Sequence, residues 1–269
     1  MQKIVLYWWH CLTKNAVMKI TETDFFNPLN AVTGISDTDY KRMSDTIDNV
    51  LNSMTQISDW GFYIIDYFKQ NFLYVSDNIA YWCGIPAENV KDLGYKLYTD
   101  YVQQEDLAML KEINDSGFKQ FERFPEEDRC KYSITYDFHF VNSCKTRLIH
   151  HRLTPLALKN GKIWLALCSI ALSFNQTPGH IILRKHKDLK YLEYSLIKHQ
   201  WIQKIDPLLS DIEKEIIKLS AKGFLVKEIA DILCKSEDTI KTYRKTMIKA
   251  LGLPNFTAVI THAINYGLI

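Results

Sequence analysis

Glycine and proline are scarce, with ten Gly and seven Pro in 269 residues. That excludes a long disordered or low-complexity chain. An excess of either charge is also missing. The 33 Lys and Arg nearly balance 31 Asp and Glu, leaving a net +2, so any nucleic-acid footprint must be local. No Cys-x-x-Cys pair occurs. Cys11, Cys83, Cys130, Cys144, Cys168 and Cys234 are scattered and read as free thiols of a reducing compartment, with spacing that fits no metal site. Long apolar runs are lacking too. The six residues from Ile4 to Trp9 fall short of the roughly 7–15 of a signal h-region and the about 20 of a spanning helix. A cytoplasmic chain without a membrane partner is therefore expected. Met18 opens a more ordinary start, and residues 1–17 read as an upstream extension of the reading frame. Catalytic fingerprints are absent as well: no P-loop, Gly-x-Ser-x-Gly, His-Glu-x-x-His or Rossmann glycine run, and no carboxylate pair that stands out. The expectation is a protein that is not an enzyme.

What is present is a chain long enough for about two domains. Apolar residues make up 47% and aromatics 13%, most of the aromatics lying before residue 202, so that part can bury a sizeable core. Residues 38–56 read as a helix, because Met43, Ile47, Val50, Leu51 and Met54 recur at helical spacing behind a Ser36-Asp37 cap. The period then changes. Trp60–Tyr67 and Phe72–Ser76 form a hairpin signal around Phe68–Asn71. Small helices punctuated by Gly84, Pro86, Gly94 and Gly117 follow, and then three β-type runs, Tyr132–Val141, Thr146–Leu156 and Lys162–Leu172, with turns at 142–144 and 159–161. His180–Arg184 and Tyr191–Leu196 read as a further hairpin rather than a linker helix.

After Pro207 the pattern is helical to the end. Ser210 and Glu213 make a capping-box signal for a helix carrying Ile216, Ile217 and Leu219, which Gly223 ends. Lys227–Leu233 is a short second helix, and Ser236 caps a third that stops at Gly252. A fourth covers Thr257–Tyr266. Two short helices crossing at small Ala230 make a helix-turn-helix layout. On the third helix Ile240, Tyr243, Met247 and Leu251 share one side. Lys241, Thr242, Lys245, Thr246 and Lys249 share the other, with Arg244 at the edge. A charged stripe is usually a solvated face. From Thr239 to Leu251, however, there are four basic residues and no acidic one, against seven acidic residues elsewhere in 209–269. Such a helix suits the major groove.

The run Leu209–Ile217, then Gly223, Lys227-Glu228-Ile229-Ala230, Leu233, Ser236–Lys241 and Leu251–Asn255, resembles the LuxR/NarL-type DNA-binding domain over the whole module. The resemblance implies a four-helix fold with the third helix in the major groove and the fourth in dimerisation. It assigns groove-facing roles to Lys241, Thr242 and Lys245, backbone contacts to Thr239, Arg244 and Lys249, and a site that includes Ser236. Ile212 stands where Arg is usual, Tyr243 where His is common, and Phe256 where a basic or polar residue is usual. The related sigma-factor helix-turn-helix ends after its third helix, and here a fourth follows.

Residues 58–173 resemble a PAS sensor domain. The likeness rests on Phe72–Asn78, Gly84–Glu88, Glu105-Asp106-Leu107 and Trp164 in the last strand, with Gln103-Gln104 replacing the usual His-Pro. Such domains sense small molecules, bind a chromophore, or only dimerise. No flavin-reactive Asn-Cys-Arg-Phe run surrounds Cys83. His139, His150 and His151 lie in strands, where histidine is more often hydrogen-bonded than a haem ligand. Tyr63, Tyr67, Phe72, Tyr74, Tyr81 and Trp82 line a pocket or, more plainly, a core.

The expected fold class is α+β, a PAS-like antiparallel sheet with helices followed by an all-α four-helix helix-turn-helix domain. The expected division is 1–57 extension and flanking helix, 58–173 sensor, 174–207 hairpin extension and linker, and 208–269 DNA-binding domain. The expected function is a one-component, sequence-specific transcription regulator. It would bind double-stranded promoter DNA as a homodimer, with no cofactor and with a small-molecule signal as a further partner. The alternatives are a protein-interaction scaffold with a degenerate helix-turn-helix, and a regulator whose PAS-like domain only pairs subunits.

Overall fold

The computed structural model describes residues 20–142 and 145–269. The expectations for residues 1–17 and for the turn at 143–144 lie outside the described residues. Among the described residues no helix is long and apolar enough to cross a membrane.

Helix α1, Asp37–Ile57, starts where Ser36 Oγ accepts from Asp39 N and Asp39 returns its carboxylate to Ser36 N. It buries Ile47 and Leu51, whereas Val50, read from its spacing as part of the same apolar face, is half exposed. Strands β1 (Gly61–Asp66) and β2 (Asn71–Val75) form the first hairpin. Helices α2 (Ile79–Cys83), α3 (Ala87–Leu93), α4 (Lys96–Tyr101) and α5 (Gln104–Phe121) cross over to the long strands β3 (Tyr132–Asn142), β4 (Lys145–Lys159) and β5 (Lys162–Leu172). The expected hairpin is β6 (Gly179–Lys185) and β7 (Lys190–Ser195), and an unanticipated strand, β8 (Gln200–Ile205), extends it. All eight strands join one antiparallel sheet in the order β2-β1-β5-β4-β3-β6-β7-β8. This is the PAS-like sheet expected from sequence, widened by three strands.

Strand alternation gives the central strands two working faces. Tyr63, Phe138, Ile149, His151 and Cys168 are almost fully buried in an aromatic-rich core beneath α2–α5. Residues 20–35, read as part of the extension, contribute Phe25 and Val32 to this core. Asn30 pins that segment by exchanging two hydrogen bonds with the backbone of Ile163, at 2.9 and 2.8 Å.

The C-terminal module has its own apolar core. It comprises α6 (Asp211–Ala221), α7 (Val226–Ile232), α8 (Glu237–Leu251) and α9 (Phe256–Asn265). Ile216, Ile217, Ile229, Ile240, Met247, Val259 and Ala263 are buried there, so the residues with helical period do form one interior. Helix α9 also touches the sheet. Tyr266 Oη lies 3.4 Å from Thr135 Oγ1, Arg152 Nη2 donates to Asn265 O at 3.2 Å, and His262 Nε2 lies 3.3 Å from Asp206 Oδ1.

Candidate nucleic-acid interface

The helix-turn-helix is assembled by local backbone chemistry. Glu213 accepts from Ser210 N at 2.9 Å and from its hydroxyl at 2.7 Å, closing the start of α6. Glu228 likewise accepts from Leu225 N at the start of α7. The turn after α7 places Cys234 in the left-handed region (φ 51°) and returns Lys235 N to Ala230 O. Ala230 is buried where α7 meets α8, as its small side chain anticipates.

Ser236 caps α8 by accepting from Thr239 N at 3.1 Å, and its hydroxyl lies 2.8 Å from that of Thr239. These two predicted site residues therefore serve the helix start. At the other end Gly252 adopts φ 65°, and Leu253 N reaches Ile248 O, which stops the helix. With both ends fixed, Ile240 and Met247 turn into the core, and Lys241, Thr242, Lys245, Thr246 and Lys249 stand exposed. Lys241 lies 3.3 Å from Asp238 and 3.6 Å from Glu237, both exposed, so these pairs are worth at most about 1 kcal/mol and yield readily to a phosphate. Lys245 and Lys249 have no ion-pair partner among the described residues.

Arg244 is placed differently. Its Nη2 donates to Ser220 Oγ at 2.7 Å and its guanidinium lies 4.5 Å from the Phe256 ring centre, so it ties α8 to α6 and α9. Burial pulls its pKa below the usual arginine range. Phe256, an apolar departure from the family pattern, is therefore the platform on which Arg244 lies. Ile212, another, packs against the module's core. Sequence periodicity places Arg244 only at the edge of the stripe, and the pairing with Phe256 twelve residues away has no local signal.

Residues 207–263 match the family model described as bacterial regulatory proteins, luxR family. This module is of the LuxR type. Over 57 residues, 21% of this chain, it is 44% identical to the regulatory protein SdiA of Escherichia coli (strain K12), covering 24% of that protein. Over the same length it is 40% identical to the transcriptional regulatory protein RcsB of that strain, covering 26% of it. The chain thus spans about a quarter of the length of these curated relatives. Among solved structures, a Vibrio cholerae VqmA dimer in the absence of target DNA is 15% identical, covering 82% of this chain and 88% of that one, with a TM-score of 0.31. A phage VqmA–DPO complex is 16% identical, covering 84% and 91%, with a TM-score of 0.27. The LuxR-type module matches a family of transcription regulators, and it stands beside an aromatic core with polar chemistry of its own.

In that core the Tyr63 hydroxyl meets both the Tyr98 hydroxyl and His151 Nε2, the latter at 2.6 Å. Burial, with a smaller push from His150, pulls His151 down to about 3, so its ring is neutral, and burial holds the Tyr63 and Tyr98 phenols well above their usual range. His151 Nδ1 is buried without a hydrogen-bond partner among the described residues. Two small cavities of about 30 and 60 Å³ lie in the same core and share Tyr67, Asn114, Tyr136 and Leu153; Tyr98 lines the smaller one, and Tyr63 and His151 line neither.

Of the aromatics singled out from sequence, Tyr63, Tyr67 and Phe72 are in this core. Tyr74 bonds Asn52, Tyr81 is 70% exposed, and Trp82 donates to Asp59 O at the periphery. The core reading thus holds for these three, of which only Tyr67 lines a cavity, while Tyr95, Tyr98 and Tyr136, unremarked in the sequence, complete the core. His139 and His150 face Asp106 and Asp137 at 2.9 and 2.7 Å. Among the described residues no group of three or more His, Cys, Asp or Glu side chains is placed to hold a metal ion.

Proposed function

We propose that the chain is a one-component transcription regulator that binds promoter DNA through α8 and receives a signal in the PAS-like core. The observation that carries this reading is the two-sided α8 helix, anchored by Ile240 and Met247 and presenting Lys241, Thr242, Lys245 and Lys249 to solvent. Lys241, Thr242 and Lys245 then meet base edges or nearby phosphates, and Lys249 meets the backbone. Ser236 and Thr239 fix the helix start that faces the duplex, and Arg244 braces the helix from behind. Two copies would read half-sites about one helical turn apart as a homodimer.

The division into extension (1–57), sensor (58–173), hairpin extension (174–207) and reading module (208–269) follows the same reading. The orphaned His151 nitrogen, buried in the aromatic core, supports a small hydrogen-bonding molecule as the signal.

The test is selection of bound sequences from a random duplex pool, followed by anisotropy titration of the enriched duplex over a range of salt. A saturable, salt-dependent complex that discriminates the enriched from a scrambled duplex is expected. Absence of any enriched sequence, with the protein folded, would refute DNA reading and favour the interaction scaffold.

A further inference from the structure

Arg152 on β4 is a half-buried cation without a counter-ion. Its one described protein contact is the neutral carbonyl of Asn265, its Nε is buried with no partner, and no carboxylate lies within ion-pair distance among the described residues. Burial pulls its pKa down, as expected of a charge that lacks compensation. It lines a cleft of about 180 Å³ between the outer face of β3, β4 and β6 and the end of α9. The wall also carries Arg184, His186, Lys187 and the Ser133 and Thr135 hydroxyls, and it contains no Asp or Glu.

Arg184 is itself buried. Its Nη1 meets Asp206 at 2.6 Å and donates to Asp188 O at 3.1 Å, but Nε and Nη2 have no hydrogen-bond partner among the described residues. His186 and Lys187 stand exposed at the rim, in the turn between β6 and β7. The carbonyl end of a helix repels anions on its own. Here Arg152 stands over the last α9 carbonyl and reverses the local sign.

We infer that this cleft is a binding site for a phosphate group carried by a small molecule. The Arg152 guanidinium, the Lys187 ammonium and the hydroxyls line a wall whose neighbouring carboxylate, Asp206, is engaged by Arg184, and such groups form the donor set that a phosphate monoester takes. The volume admits the phosphoryl group and a few further atoms, since a water occupies about 30 Å³. The depth of the two arginines favours a compact free ligand over the backbone of a duplex. Bound there, the phosphate bridges the sensor sheet to the end of α9 and ties the reading module to it.

Inorganic phosphate is the probe. Thermal unfolding of the full chain is followed during a phosphate titration at constant ionic strength set with potassium chloride, for wild type, Arg152→Gln and Lys187→Gln. A saturable rise in Tm is expected for wild type, with at least a tenfold weaker midpoint in each variant. Lys187 is exposed and has no ion-pair partner among the described residues, so its variant tests the site even where Arg152→Gln unfolds. A non-saturating rise, or the same midpoint in Lys187→Gln as in wild type, overturns the proposal. Duplex affinity of Lys187→Gln without phosphate distinguishes the sources. Unchanged DNA affinity supports a free ligand, whereas weakened DNA affinity with no phosphate response assigns the cations to the duplex instead and overturns the small-molecule site.

Discussion

Arg184 and Asp206 form an ion pair of 2.6 Å in which both side chains are nearly inaccessible, 5% and 2% exposed. The guanidinium lies between the rings of Tyr191 and Tyr266, 4.3 and 4.5 Å from their centres, so a residue of α9's C-cap closes over a pair made within the sheet domain. Removing one partner of such a pair leaves a buried charge, at a cost of about 3–5 kcal/mol. Asp206→Asn is therefore expected to lower stability by that order in urea unfolding, and Arg184→Met/Asp206→Asn together to recover much of it. Equal losses in the single and double variants would contradict this.

The Asp206 carboxyl carries a pH signature. Burial raises its pKa, but hydrogen bonds from His262 and Arg184 outweigh that and leave it below the usual value. A carboxylate depressed in the folded state contributes stability above its unfolded pKa and loses it as pH falls through the folded one. The junction is then complete at neutral pH and weakens below about pH 4. Protection of the α9 amides from hydrogen exchange, compared at pH 5 and pH 3 after correction for intrinsic rates, checks this.

His151 works on a different window. Its folded pKa of about 3 lies below the 6.5 of the free side chain, so the unfolded chain binds a proton that the folded one refuses. Stability therefore declines as pH falls below about 6.5, by about 1 kcal/mol between pH 7 and 5.5. His151→Gln should remove that part of the slope. Urea midpoints of the two proteins at both pH values give the comparison.

On α8, Lys245→Ala and Lys249→Ala should leave stability within about 0.5 kcal/mol, since both side chains are exposed and without an ion-pair partner among the described residues. Each should weaken DNA binding and lower the salt slope by about one unit. Ser236→Ala acts through the cap instead, costing about 1 kcal/mol of stability. Anisotropy titrations at three salt concentrations, with unfolding curves beside them, separate the two effects.

Gly61 tests the packing of the sheet on α2. A Cβ there would meet Ile170 Cγ1 at 2.9 Å and the Ile79 backbone at 3.1 Å. Gly61→Ala is expected to destabilise by about 1–3 kcal/mol, the range for overpacked cores. A thermal midpoint equal to wild type would show that the strand shifts freely.

The reading module was legible in sequence because its signals are local: Ser210 with Glu213, Ser236 with Thr239, and Gly252 as a stop all act within four residues. The hairpins and the three long strands were legible for the same reason, through alternation and turns. Strand β8 was not, since Gln200–Ile205 is a polar edge strand with little buried on either face. The sensor cluster joins Tyr63 to His151 across 88 residues, and the junction joins Arg152, Arg184, Asp206 and His262. The first pairing and that of Arg184 with Asp206 are set by sheet register and the others by how α9 docks on the sheet, to both of which composition and period are blind.

The neighbours His151 and Arg152 show what that register provides. One faces the sealed aromatic interior and the other holds the last carbonyl of the reading module's final helix. Successive residues of a strand point to opposite faces, so a single step of β4 reaches both the interior and the end of α9. The aromatic interior and the end of the last helix thus share one wall, a single strand step thick.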